Sequence, residues 1–113
     1  MNRRDSMPSR WSTGASALPE QLNDLAGPAA GMVRLPPDLA WSGRTLFDLG
    51  DPGQLYLCYM TVLTAAIKRE HYTRWLNADL LMTEWEHLRL PRPLRRLWHE
   101  RFPELATAYA HPA

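Results

Sequence analysis

The chain has 113 residues, 45% of them hydrophobic and 22% charged, which bounds it to one domain with a modest core and excludes a deep substrate cleft built by this chain alone. A formal net charge of +1 supplies no global field for nucleic acid or a membrane surface, and a single cysteine, Cys58, excludes an internal disulfide framework and a zinc-finger set and fits a reducing, cytoplasmic compartment. Ten prolines and five tryptophans predict short elements with hard stops and a few large aromatic anchors.

Residues 1–33 are dominated by Ser, Gly, Ala, Pro and Asn, with Trp11 as the only aromatic. This composition reads as a mostly disordered arm. Arg3-Arg4 is not followed by an apolar run, so a twin-arginine signal is not expected. One alternative stays open within the arm: Pro19 sits at a helix-start position, and Leu18, Leu22 and Leu25 recur at helical spacing before Gly27-Pro28. Met32 opens a more ordered-looking stretch and is a conceivable start for a shorter product.

Residues 34–50 are apolar without a helical period. Pro36-Pro37 forces an extended path, Ser42-Gly43 reads as a turn, and Thr45 to Leu49 as a short strand. A lone strand lacks a partner, so the expectation is an extended segment laid over helices and anchored by Trp41, Phe47 and Leu49.

Four helices follow in the prediction. The first starts at the Asp51-Pro52 cap and runs to about Lys68, with Gln54, Thr61, Thr64 and Lys68 as a thin polar stripe on an otherwise apolar cylinder. A helix apolar nearly all round is expected at the centre; its run from Leu55 to Ile67 is too short to span a bilayer. The second is short, about Glu70 to Leu76. Asn77 caps the third, Ala78 to Leu88, with Leu80 off its apolar side. The fourth runs from Pro93 to about Phe102, where Pro103 restricts the last residue. Leu94, Leu97, Trp98 and Phe102 share one of its faces; Arg92, Arg95, Arg96 and His99 share another.

Few residues suggest chemistry. Cys58 lies in the most apolar helix, with no cation in sequence to activate it, and reads as packing. Glu84 and His87 have the Glu-x-x-His spacing of di-iron bundles, but in one copy and away from the apolar side. His71, His99 and His111 share no metal-ligand spacing, and no nucleophile elbow or phosphate loop occurs. Neither catalysis nor a metal or cofactor is expected.

The fourth helix carries the strongest signal. Arg89, Arg92, Arg95, Arg96 and Arg101 oppose the single acid Glu100. The arginine face suits contact with RNA, DNA or an acidic protein surface; an ordinary solvated charged face is the plain alternative. The link Arg89–Arg92 is proline-bracketed and lacks glycine, so it matches a helix-turn-helix poorly. Arg101 falls beside Leu94 and Trp98, and is expected to snorkel or to meet a carboxylate across the core.

The run Arg34-Leu-Pro-Pro-Asp-Leu-Ala-Trp-Ser-Gly43, then Phe47-Asp-Leu, Asp51-Pro52, Arg74-Trp-Leu-Asn-Ala-Asp-Leu-Leu81, Leu90-Pro-Arg-Pro-Leu-Arg-Arg-Leu-Trp98 and Arg101-Phe-Pro-Glu-Leu105 resembles a family of small actinobacterial proteins whose gene neighbours one for an AbiEii-type nucleotidyltransferase toxin. The resemblance covers about residues 34–105 and brings no catalytic residue. It implies an antitoxin-like role, in which the chain binds a cognate nucleotidyltransferase and blocks nucleotide transfer to RNA. Where the family pattern has a glycine-containing loop after the first helix, this chain has Ala65-Ala-Ile-Lys68, which implies that the first two helices are fused.

The expectation is therefore an all-α domain of about four short helices at residues 34–106, preceded by an extended, partly disordered arm at 1–33 and followed by a tail at 107–113. The expected partner surface comprises Trp41, Phe47, Leu80, Arg92, Arg95, Arg96 and His99. Its expected occupant is a nucleotidyltransferase toxin; the alternative is a nucleic-acid-binding transcriptional regulator using the same arginine face. The crowd of large apolar groups in so small a domain also allows a homodimer.

Overall fold

The computed structural model describes residues 18–40 and 43–110, with backbone alone for 108–110. Trp41 lies outside the described residues. Five helices pack around one apolar core: α1 (Pro52–Ala65), α2 (Arg69–Trp75), α3 (Ala78–Glu84), α4 (Arg92–Arg101) and α5 (Pro103–Ala110). A two-stranded antiparallel ribbon, β1 (Met32–Arg34) and β2 (Leu46–Asp48), stands before them. The fold is thus mostly helical, and the all-α expectation is corrected by this ribbon.

The strand expected near Thr45–Leu49 finds its partner inside the supposed arm. Met32 pairs with Asp48, Val33 with Phe47 and Arg34 with Leu46. Leu35 and Leu49 extend the ladder by donating to the carbonyls of Thr45 and Gly31. Alternation then buries Val33, Leu35, Phe47 and Leu49 and turns Met32, Arg34 and Leu46 to solvent. Gly31 turns the chain into β1 at φ 86°, a conformation that favours glycine.

The segment before the ribbon is packed from Leu18 onward. Leu18, Leu22 and Leu25 are all buried in the common core, with a single 3₁₀ turn at Leu22–Asp24. Residues 25–27 thread between α2 and α3 as an extended strip. Ala26 donates to the Thr73 carbonyl, Gly27 to that of Leu76, and Ala78 to that of Leu25. A side chain at Gly27 would place its Cβ 2.6 Å from the Trp75 carbonyl carbon, so only glycine allows this approach. Arg101 completes the attachment by donating to the Pro19 carbonyl at 3.1 Å, and it meets no carboxylate among the described residues.

Asp51 caps α1 as expected, accepting from the amides of Gly53 and Gln54. The helix ends at Ala65, and α1 and α2 are separate, contrary to the fused helix implied by the missing glycine. The break is made by a side chain from the next element. Buried His71 accepts through Nδ1 from the amides of Ile67 and Lys68, at 3.1 and 3.3 Å. Its Nε2 lies 3.0 Å from the Asp38 carboxylate, which ties the turn at residues 36–40 to the same point.

Asn77 joins three elements. Its Oδ1 caps α3 by accepting from Asp79 and Leu80, its Nδ2 donates to the Gly27 carbonyl, and its own amide donates to the buried Tyr59 hydroxyl. After α3 the chain tightens into a 3₁₀ turn, Trp85–His87, before α4. Pro103 ends α4 and starts α5 at once, so the tail expected after residue 106 is helical as far as Ala110. Trp98, fully buried, sits between Tyr72, Trp85 and Phe102 with ring centroids 5.2, 6.0 and 5.4 Å away.

Candidate functional site

The groups with chemical potential are committed to structure. The Cys58 thiol is buried and pushed up to about 12, and burial likewise raises the hydroxyls of Tyr59 and Tyr72 to about 12. Both ring nitrogens of His71 are engaged, Nδ1 by two backbone amides and Nε2 by Asp38. The hydrogen bond from His71 holds the Asp38 carboxyl below its usual value. His87 lies in the 3₁₀ turn that follows α3, with its Nε2 3.6 Å from the Glu86 carboxylate. Among the described residues no group of three or more His, Cys, Asp or Glu is placed to hold a metal ion. Among the described residues no helix is long and apolar enough to cross a membrane.

Two surfaces have the chemistry of binding. One is the outer side of α1. The segment from Pro52 to Ala65 contains no Asp, Glu, Lys, Arg or His. Helical spacing places Tyr56, Leu57, Met60, Thr61 and Thr64 on one side of it. None of these five is buried, and Leu57 is 50% exposed. The two threonines do not make this side polar, because their hydroxyls bond back to the carbonyls of Leu57 and Met60, each at 2.7 Å. Ile67, 67% exposed, follows at the break beyond the helix. Met32 and Leu46 are exposed on the ribbon.

The other is a basic corner where the loop after α3 meets the start of α4. A groove of about 480 Å³ is lined by Glu86, His87, Leu88, Arg89, Leu90 and Arg95. Arg95 donates to the Leu90 carbonyl at 3.2 Å, which fixes its guanidinium to the groove wall. Arg92 and Arg96 are exposed on the same side of α4. Pro91 precedes the helix, and no side chain caps it.

The expected partner residues separate accordingly. Arg92, Arg95 and Arg96 are together on α4. His99 is turned inward: its Nε2 accepts from the Trp85 indole at 2.9 Å, and burial, then the charge of Arg95, holds it below the usual histidine value. Phe47 is buried on the inner face of β2 and is a core residue, which removes it from the partner surface. Leu80 is half-buried against the core. The α1 side was missed, although its signal was present as a fourteen-residue helix without a charge. A helix with that pattern was expected at the centre, yet in this small fold one side of it is only partly covered.

No protein-family model, curated protein or solved structure matches the chain.

Proposed function

We propose that this chain is a non-catalytic, antitoxin-like protein that binds a cognate nucleotidyltransferase and blocks its transfer of nucleotides to RNA. The reading rests on the resemblance of residues 34–105 and on one structural observation: the outer side of α1 carries no charge and is only partly covered, with Leu57 half exposed and Tyr56 and Met60 packed in part against the core. Solvent-facing sides of helices ordinarily carry charged residues. An uncharged side built from Tyr56, Leu57, Met60 and back-bonded threonines is suited to an apolar protein contact. Tyr and Met are among the residues enriched at such interfaces.

The test is a pull-down of the tagged chain from its native host at moderate salt. A nucleotidyltransferase recovered in near-stoichiometric amount, and inhibited when the purified chain is added back, is the expected result. Recovery of nucleic acid with no protein partner would contradict the reading and favour the regulator.

A further inference from the structure

From the basic corner between α3 and α4 we infer a second binding site, one that takes a phosphate group. It uses residues other than those on the outer side of α1 and stands whether or not that side binds a protein.

Arg89 and Arg95 line one groove. Arg92, Arg95 and Arg96 fall at spacings of three and four on α4, so the cluster continues from the groove onto one side of the helix. Arg89, Arg92 and Arg96 form no ion pair with a carboxylate among the described residues. The one carboxylate lining the groove, Glu86, has His87 beside it. Positive charge is therefore concentrated here in a chain whose overall charge is only +1. His99, one turn beyond Arg95 on α4, is held below the usual histidine value first by burial and then by the charge of Arg95.

The geometry favours phosphate over a carboxylate. A carboxylate has two oxygens and is satisfied by one guanidinium fork. A phosphate presents more acceptor oxygens and more charge, and can be shared by several arginines. The groove is concave and polar, with an arginine held on its wall, so it can receive a compact anion. The start of α4 adds the positive end of a helix dipole without a capping side chain. Phosphate in this chemistry comes either as the phosphodiester of a nucleic-acid strand or as the terminal group of a small molecule.

The experiment uses the full chain and two probes: inorganic pyrophosphate, and a short single-stranded RNA without terminal phosphates. Binding is measured by titration calorimetry across a salt series and mapped by backbone amide shifts. The comparison variant is the triple substitution Arg89→Gln, Arg92→Gln and Arg96→Gln; Arg95 is kept because it holds the Leu90 carbonyl. Circular dichroism checks that the variant folds.

At least one probe is expected to bind, with shifts at residues 86–96 and an affinity more than about tenfold weaker in the variant. If RNA is the ligand, the salt slope should fall by about 2 in the variant. Pyrophosphate alone would identify a small phosphorylated ligand, and RNA alone a strand; either supports the site. The inference is overturned if neither probe binds, if the variant binds both as well as the parent, or if the shifts map elsewhere.

Discussion

Asn77 shows how much of the fold depends on one amide. It caps α3, holds the Gly27 carbonyl and places its own N–H on Tyr59. Asn77→Ala leaves the first amides of α3 and the Gly27 carbonyl without these partners, and should cost about 1–3 kcal/mol. Urea unfolding measures this directly. Sequence predicted the cap, because an asparagine before an apolar-periodic run is a local signal. The other two bonds were not legible, since their partners lie 50 and 18 residues away.

His99 makes a separate prediction at the same scale. Its Nε2 can accept from Trp85 only while that nitrogen is unprotonated. The folded value is held below the ordinary 6.5, so the unfolded chain takes up the proton more readily. The stability linked to this group is fully present above about pH 6.5 and is lost as pH falls through the lower folded value. His99→Gln removes the titration and should flatten the pH dependence of thermal unfolding just below pH 6.5. Asp38 acts in a lower window, because its depressed carboxyl gives stability that is lost only below the ordinary carboxylate value of 3.8. The turning of His99 toward Trp85 could not be read from its place on a polar face, because Trp85 belongs to another element.

At the scale of elements, the N-terminal segment decides stability. Leu18, Leu22 and Leu25 are each nearly fully buried. A chain begun at Met32 would lose all three together with the backbone bonds to Thr73 and Leu76. At about 1.5–3 kcal/mol for each leucine, the loss approaches the whole stability of a small domain. The shortened protein should be largely unfolded by circular dichroism at 25 °C; a cooperative transition close to that of the full chain would contradict this packing.

The same elements show where sequence reading reaches and where it stops. The leucine spacing at 18, 22 and 25 was visible, but composition argued for disorder, and the strip's hydrogen bonds come from α2 and α3. The alternation Val33/Leu35 was likewise present, yet a three-residue strand is identified only by its partner. Pro103 was read as a stop because proline restricts the residue before it. It is also a good first residue of a helix, and here it serves as both. The residues placed the α1–α2 boundary near Lys68, whereas the missing glycine implied fusion; α1 ends earlier, at Ala65, where the His71 ring takes the amides of Ile67 and Lys68, a contact that local sequence does not announce.

At the scale of the whole molecule, the other four helices and the ribbon do not cover α1 completely. Apolar periodicity predicted that α1 would be central, and Leu55, Tyr59, Val62 and Leu63 are indeed buried. The opposite side is covered only in part, with Leu57 half exposed, and among the described residues no further element lies over it. The arginines of α4 were legible as a cluster, since they are near one another in sequence.

The most direct test of the proposed function compares the affinity of the parent chain and Leu57→Asp for the cognate nucleotidyltransferase, at low and high salt. Leu57 is half exposed on α1, so the substitution should leave folding intact. The account predicts parent binding that changes little with salt, and a loss of more than about tenfold in the variant. Equal binding by both proteins, or affinity that collapses with salt, would contradict an apolar contact through α1.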